Sequence, residues 1–263
     1  MKKNNIDIFI PMRLHSKRLP AKHLRLINGE PALLKLIRRL RRCKKIRKIV
    51  VCTTTSFHDD KLVHFLEKES IFYYRGNEHD ILSRFLGASK KFKTDVIVDV
   101  EGDKIYTDPA YVDKIIEELT DPKIDFVIGN DSEEKFNPNN HLVHGFIPAG
   151  MKTSALQKLC GIKTTENTET GYLEFFTRSE IFSCRYIIPD NFKDNPKDFR
   201  FTLDYEEDLK LANEIFSELG DNFSCNDVLE LFKRKPSLNE ITKPLIKKWN
   251  KSYRDNLTKY ELK

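Results

Sequence analysis

Residues 10–24 read IPMRLHSKRLPAKHL. A short apolar run ends at Pro11 and is followed at once by Arg13, Ser16, Lys17, Arg18 and Lys22. Arginine forks, a lysine ammonium and a hydroxyl, backed by turn amides, are the groups that hold phosphate oxygens. A helix N-terminus beside them would strengthen the field. The same composition also describes a solvated basic loop, and the residues alone leave both readings open. Neither GxxxxGK[ST] nor GxGxxG occurs here, which excludes the phosphate-loop and dinucleotide-fingerprint chemistries. Two aspartates, Asp103 after VIVDVEG and Asp204 after RFTL, each close an apolar run. Magnesium takes hard oxygen ligands and usually keeps only one or two protein carboxylates. Two aspartates at the carboxyl ends of two strands could meet at one such ion. Asp103 could equally close a strand, and Asp204 could open a helix with Glu207 three residues on.

The elements that must position these groups follow from periodicity. IDIFIP (6–11), IRKIVVCTT (46–54), IFYY (71–74), DVIVDVEGD (95–103) and DFVIGN (125–130) are short apolar runs, as expected of strands covered on both faces. Between them, apolar residues recur at helical spacing: Leu33, Leu36, Ile37 and Leu40; Leu62, Phe65 and Leu66; Leu82, Phe85 and Leu86. Asn28–Gly29 marks a turn, and Pro31 suits a first helical position. Asp108 is a helix cap followed by Pro109. Strands alternating with helices of about a dozen residues predict βαβ units and a mainly parallel, three-layer α/β/α sheet. Ligands of such sheets sit beyond the carboxyl ends of the strands. The basic loop and Asp103 both fall on that rim.

The second half is less regular. HLVHGFIPAG (141–150) reads as a strand, SALQKL as the start of a helix, RYIIP (185–189) and RFTLD (200–204) as short strands. EEDLKLANEIFSEL (206–219) is an amphipathic helix, NDVLELFKRK and PLIKKWNKSY are terminal helices, and DSEEKFNPNN (131–140) is a loop. This divides the chain into a main domain over 1–220, with 131–190 as an acceptor or dimerisation region, and a helical extension over 221–263.

The 263 residues carry a net charge of +6 and 39% hydrophobic residues, enough for one α/β core and too mildly basic for a dedicated nucleic-acid binder. Nine Lys or Arg lie between Lys35 and Lys48, on a helix with an apolar stripe, which predicts a solvated face rather than a nucleic-acid groove. Five cysteines without a CxxC pair predict reduced thiols in the cytoplasm. No apolar stretch reaches the length of a membrane span. Trp249 and Tyr253 share helical spacing and predict packing of the last helix. His144 could face an acidic ligand or be structural, and Arg178 could pair with a substrate carboxylate.

IPMRLHSKRLPAKHL resembles the IPARxxSxRLPxKxL signature of the cytidylyltransferases that make CMP-activated acidic sugars. This family includes the synthetases for CMP-3-deoxy-manno-octulosonate and CMP-sialic acid, and a spore-coat polysaccharide branch. YYRGNEHDILSRF (73–85) is similar to the RGxxxDxLxRF segment of that branch. VDVEGDKIYTDPAYVDKII (98–116) resembles its Gly-Asp strand end and following helix, and RFTLDYEEDLKLANEIF (200–216) its RxTVDTxEDL segment. The resemblance runs from residue 9 to 216 and is weakest over 131–185. It implies a Rossmann-like nucleotidyltransferase fold of the glycosyltransferase-A type, a Mg²⁺ cofactor, CTP and an acidic acceptor as substrates, a cytoplasmic homodimer, and no nucleic-acid or membrane partner. Carried over by position, Arg13, Ser16, Arg18 and Lys22 would hold the triphosphate, with Pro11, Met12, Gly102 and Arg75 near the base. Arg18, Lys22 and Asp103 would be catalytic, and Asp103 and Asp204 would hold the metal. The sequence departs from the family pattern at Met12, where Ala is usual, and at Glu101, where Gln-Gly-Asp is common. It also lacks the Glu-His pair often found near Gly171–Tyr172.

Overall fold

A computed structural model describes residues 4–16, 18–133, 136–189, 199–258 and 260–262. A seven-stranded sheet has the order β5 (Phe72–Gly76), β4 (Lys48–Thr54), β1 (Ile6–Pro11), β6 (Val96–Asp99), β8 (Ala149–Lys152), β7 (Phe126–Gly129) and β9 (Cys184–Ile187). β1 pairs in parallel with β4 and β6, β4 with β5, and β7 with β9. β8 runs antiparallel between β6 and β7. The sheet is therefore mainly parallel, as the strand–helix alternation predicts. Between Leu26–Ile27 (β2) and Glu30–Pro31 (β3), Asn28 and Gly29 both take positive φ, 49° and 82°. These are the residue types a two-residue hairpin requires.

Strand alternation sorts the core onto two faces. Ile8 and Ile10 of β1 pack with Leu33, Leu36, Ile37 and Leu40 of α1 (Ala32–Leu40) and with Leu62 and Leu66 of α2 (Asp60–Lys68). Phe9 points the other way, into a cluster with Leu82 and Phe85 of α3 (Ile81–Phe92). That cluster also takes Leu156 and Leu159 of α6 (Thr153–Ile162) and Phe175 and Phe176 of α7 (Glu174–Thr177). Phe126 stacks flat on Phe176 at 4.6 Å. Helices thus cover both faces, giving three layers.

A third cluster joins the chain's two halves. Tyr106 meets Phe201 edge-on at 5.5 Å, and Phe201 meets Phe232 at 5.3 Å. α4 (Pro109–Glu118), α8 (Glu206–Leu219) and α9 (Cys225–Arg234) share this core. α9 supplies Val228, Leu229, Leu231 and Phe232. Residues 221–234 therefore belong to the same core as the sheet, and are not a separate layer. α10 (Ser237–Thr242) follows, then α11 (Leu245–Asn256), in which only Leu245 is buried.

Four local readings are corrected. Residues 141–146 form a helix, α5 (His141–Phe146), because the Asn140 side chain caps it by accepting from Val143 N at 3.1 Å. The strand begins only at Ala149. The segment 200–204 joins no ladder among the described residues: Leu203 N is spent on Asp103 O at 3.0 Å, and Asp204 N on the Asp208 carboxylate at 2.8 Å. Asp204 does not cap α8; Tyr205 holds that position, and Asp208 reaches back to Tyr205 N at 3.0 Å. Pro31 ends β3, and α1 starts one residue later.

Part of the basic run over 35–48 is paired internally, while Arg41, Arg42 and Lys44 are exposed. Lys35 meets Asp221 at 2.8 Å, Arg39 donates to Asp221 O at 2.9 Å, and Arg47 meets Asp7 at 2.6 Å. Among the described residues, no helix is long and apolar enough to cross a membrane.

Candidate active site

The loop after β1 is pinned from below. Asp59, 1% exposed, accepts from Leu14 N at 2.7 Å, from the Thr53 and Thr54 hydroxyls at 2.9 and 2.5 Å, and from Thr54 N at 3.2 Å. A buried carboxylate satisfied by four donors fixes the backbone it touches. The path of residues 12–16 is set this way, and Arg13, Ser16, Arg18 and Lys22 follow around the rim. The facing wall comes from β6. Val100 N and Gly102 N continue the ladder onto Phe9 O and Pro11 O at 3.0 and 3.3 Å. A side chain on Gly102 would lie 2.8 Å from Met12 Cε and 2.9 Å from His23 Cε1, so any larger residue there would have to displace these two side chains.

Lys22 joins the two aspartates. Its Nζ lies 2.7 Å from Asp103 Oδ2 and 2.9 Å from Asp204 Oδ1. Asp204 Oδ1 also accepts from Arg18 at 2.7 Å, while Oδ2 accepts from Arg200 at 2.9 Å and from Trp249 Nε1 at 3.1 Å. Arg200, fully buried, holds Asp208 as well, at 3.0 Å. Burial opposes the charge on Asp204, but Lys22, then Arg18 and Arg200, outweigh it and hold the carboxyl well below the usual carboxylate range. Burial likewise disfavours the Lys22 ammonium, and Asp103 and Asp204 more than restore it. Asp99 behaves oppositely: burial, then Glu101, push its carboxyl well above the ordinary value.

His23 carries a pH prediction. Its Nδ1 donates to Gly102 O at 3.1 Å, the carbonyl fixing the neutral tautomer. Burial, then Lys22, push its pKa down to about 4. The unfolded chain binds this proton from about pH 6.5. The stabilising contribution is therefore complete above about pH 6.5 and is lost as the pH falls toward about 4. Urea unfolding at pH 7, 6 and 5 is expected to show this decline, and His23→Gln, which keeps a donor, to flatten it. An unchanged slope in the variant would remove His23 as the cause.

Pro11, Met12, Arg13, Ser16, Arg18, Lys22, Gly102, Asp103, His144 and Asp204 all line one cavity of about 560 Å³, within the range of small-molecule sites. Two residues named from sequence lie outside it. Arg75 spends its guanidinium on Thr54 O and Ser56 O, both at 2.8 Å, and on Asp60 at 2.7 Å, tying β5 to the start of α2. Arg178 sits outside, ion-paired with Glu174. Arg13 is held by both oxygens of Glu169. His144 Nε2 lies 2.8 Å from Asn137 O.

Several lining residues lack a local signal. Tyr172 donates to Asp99 Oδ2 at 2.7 Å. From α11, Trp249 reaches Asp204, Ser252 Oγ lies 3.2 Å from Arg18, and Tyr253 donates to Glu174 at 2.5 Å. Trp249 and Tyr253 do stack, at 5.0 Å, but on the face that closes the cavity. Arg200 and Asp208 did carry a signal, since each lies four residues from Asp204.

The comparisons with known proteins agree with this geometry. A model of the cytidylyltransferase family matches residues 8–219. An uncharacterized protein of Methanocaldococcus jannaschii is 27% identical over 250 residues, covering 94% of this chain and 96% of that one. The spore coat polysaccharide biosynthesis protein SpsF of Bacillus subtilis is 24% identical over 242 residues, covering 89% and 96%. The solved structure of a cytidylyltransferase from Leptospira borgpetersenii superposes with a TM-score of 0.75 at 26% identity, covering 90% of this chain and 97% of that one. With its cation-rimmed cavity at the carboxyl ends of β1 and β6, this chain belongs to the cytidylyltransferase family and is a CTP-dependent nucleotidyltransferase.

Proposed function

We propose that the enzyme transfers CMP from CTP to a hydroxyl of a sugar-type acceptor, with Mg²⁺, in the cytoplasm, for surface polysaccharide assembly. The observation that carries this reading is Lys22 Nζ seated between Asp103 and Asp204, with Arg13 and Arg18 on the same rim. The role in surface polysaccharide rests on the name of the Bacillus relative.

The acceptor oxygen bonds to the α-phosphorus, the bond from that phosphorus to the bridging oxygen breaks, pyrophosphate leaves with the electron pair, and the hydroxyl proton passes to water. The protein's work is alignment and charge neutralisation. Arg13, Arg18 and Lys22 exchange their carboxylate partners for phosphate oxygens. Lys22 and Arg18 then stabilise the departing pyrophosphate. Pro11, Met12 and Gly102 form the wall toward the base.

The residues fit a magnesium ion. Asp103 Oδ1 is buried without a partner, and one or two carboxylates completed by phosphate and water oxygens suit this cation. Asp103 would hold it, with Asp204 joining once Lys22 turns to phosphate. When bound, the ion polarises the phosphate oxygens and lowers the pKa of the attacking hydroxyl.

The family resemblance implies an acidic acceptor. Lys104 and His144 line the cavity, and Arg178 stands outside it. A homodimer through 141–185 belongs to the same reading, and light scattering in solution tests it. For the reaction, pyrophosphate release with CTP, UTP, ATP and GTP is measured against a panel of ulosonic acids, sugar phosphates and amino sugars. Release with CTP and one acceptor is expected. Release with another nucleotide alone, or no stabilisation of the protein by CTP, would refute the reading.

A further inference from the structure

The cavity's polar groups fall into two sets. Arg13, Arg18 and Lys22 form the cationic rim. A second set is acidic and linked by tyrosines: Tyr172 donates to Asp99 at 2.7 Å, Tyr253 donates to Glu174 at 2.5 Å, and Glu101 lies within electrostatic reach of both tyrosines. Of the cavity's cations, Lys104 acts on both Asp99 and Glu101, Lys22 acts on Glu101, and Arg84 lines the same cavity with its guanidinium spent on backbone carbonyls. Lys104 stands 3.9 Å from Glu101, and Arg178 pairs with Glu174 from outside the cavity.

Asp99 is the decisive residue. It is 2% exposed and lines the cavity. Its Oδ2 takes the Tyr172 hydroxyl, but its Oδ1 is buried with no hydrogen-bond partner, and among the described residues no ion pair reaches it. A structural role explains Oδ2 and leaves Oδ1 unexplained. An unpaired buried carboxylate costs free energy unless a ligand supplies the missing donor or charge. Burial, then Glu101, push the Asp99 carboxyl up, so a carboxylate-bearing ligand would be disfavoured there, whereas a bound cation would favour the Asp99 carboxylate. Asp99, Glu101 and Glu174 line a cavity of about 560 Å³, which has room for an organic group. Trp249 and Tyr253, stacked at 5.0 Å, and Tyr172 add aromatic surface to the same wall. Ring faces of this kind stabilise ammonium groups.

We propose that the acceptor carries a protonated amine close to its reacting hydroxyl, as in an amino sugar or amino alcohol, and that Asp99 and Glu101 bind that ammonium beside the Trp249–Tyr253 face. This rests on the cytidylyl-transfer reading and names its acceptor class. The amine keeps its protons throughout; the hydroxyl alone reacts.

The test uses the full chain. Thermal stabilisation by CTP with Mg²⁺ is read first and reports the nucleotide site alone. Binding and pyrophosphate release are then measured with glucosamine, galactosamine and ethanolamine. The controls are N-acetylglucosamine, glucuronate and a ulosonic acid. At least one amine compound is expected to be used or bound about tenfold better than its N-acetyl or carboxylate counterpart. Asp99→Asn and Glu101→Gln, which preserve shape, are expected to raise its KM about tenfold while the CTP shift is retained. CTP stabilisation together with equal or better use of a neutral or carboxylate acceptor overturns the proposal. So does CTP stabilisation with no amine bound or used. Absence of CTP stabilisation instead overturns the underlying reading, and this proposal with it.

Discussion

Lys22→Met is expected to lower CTP-dependent turnover by about 10²–10³-fold, the usual loss when one preorganised charge at a reacting centre is removed. The substitution keeps length and apolar stem but removes the ammonium that now bridges Asp103 and Asp204. The loss should fall mainly on kcat, because the charge on pyrophosphate grows as the bond breaks. Stability changes too. The Lys22 side chain is 11% exposed and that of Asp204 2%, so the pair is screened little by water. Breaking a buried pair leaves an uncompensated carboxylate and costs about 3–5 kcal/mol. Arg18 and Arg200 still hold Asp204, which places the expected loss at about 3 kcal/mol, the lower end of that range.

The pH dependence of that deficit has a definite sign. Asp103 and Asp204 have folded-state pKa values held below their ordinary ones, with Lys22 the leading cation in each case. Such carboxylates stabilise the fold above their unfolded pKa, near 3.9, and lose that contribution as the pH falls through the folded value. Removing Lys22 therefore costs most at neutral pH and progressively less below about pH 4. Millimolar Mg²⁺ should raise the melting temperature of Lys22→Met more than that of the parent, because the ion can take the vacated position. Urea unfolding at several pH values and melting curves with and without Mg²⁺ read these effects. Turnover within threefold of the parent would sink the assignment of Lys22.

Asp103→Asn and Asp204→Asn should separate chemistry from architecture. Both are expected to lose about 10²-fold or more in turnover, since each removes a charge from the reacting centre. Their stabilities should differ. Asp103 accepts one hydrogen bond from Lys22, and its other oxygen is unpartnered. Lys22 retains Asp204 when Asp103 is neutralised, so the cost is expected to be about 1.5 kcal/mol, the lower end for a hydrogen bond between charged groups. Asp204 accepts from Arg18, Lys22, Arg200 and Trp249. An asparagine there turns one acceptor into a donor facing cations, and Arg200, wholly buried, keeps only Asp208. A loss of about 3 kcal/mol is expected. Because Trp249 is held through Asp204, protease should also cut α11 faster in Asp204→Asn. Equal stability of the two variants would show that the Arg200–Asp204–Trp249 link does not hold the site together.

The sheet was legible because its strands are short apolar runs and its helices carry stripes that must be buried. Ile8 and Ile10 against Phe9 in β1 already encode two covered faces. Where a cap competes with an apolar run, as Asn140 does before 141–146, the local bond decides and the strand reading fails. In 200–204 the apolar alternation is real, but Phe201 packs into the aromatic cluster instead of pairing with a neighbour.

For the site, the order and types of residues in IPMRLHSKRLPAKHL, VDVEGD and RFTLD determined which groups could bind a nucleotide. The ends of β1 and β6 placed the first two on one rim, because parallel strands bring their carboxyl ends together, whereas RFTLD joins no ladder among the described residues and reaches the rim through Leu203 N on Asp103 O. Only the tertiary structure decided their partners. Arg18 and Asp204 meet across 186 residues, Arg13 is claimed by Glu169, and Arg75 turns to backbone carbonyls outside the cavity. α11, whose spacing predicted simple packing, instead closes the cavity with Trp249 and Tyr253. Spacing along a chain reports which side of a helix is apolar. What that side meets depends on segments far away in sequence, and so on the folded geometry alone.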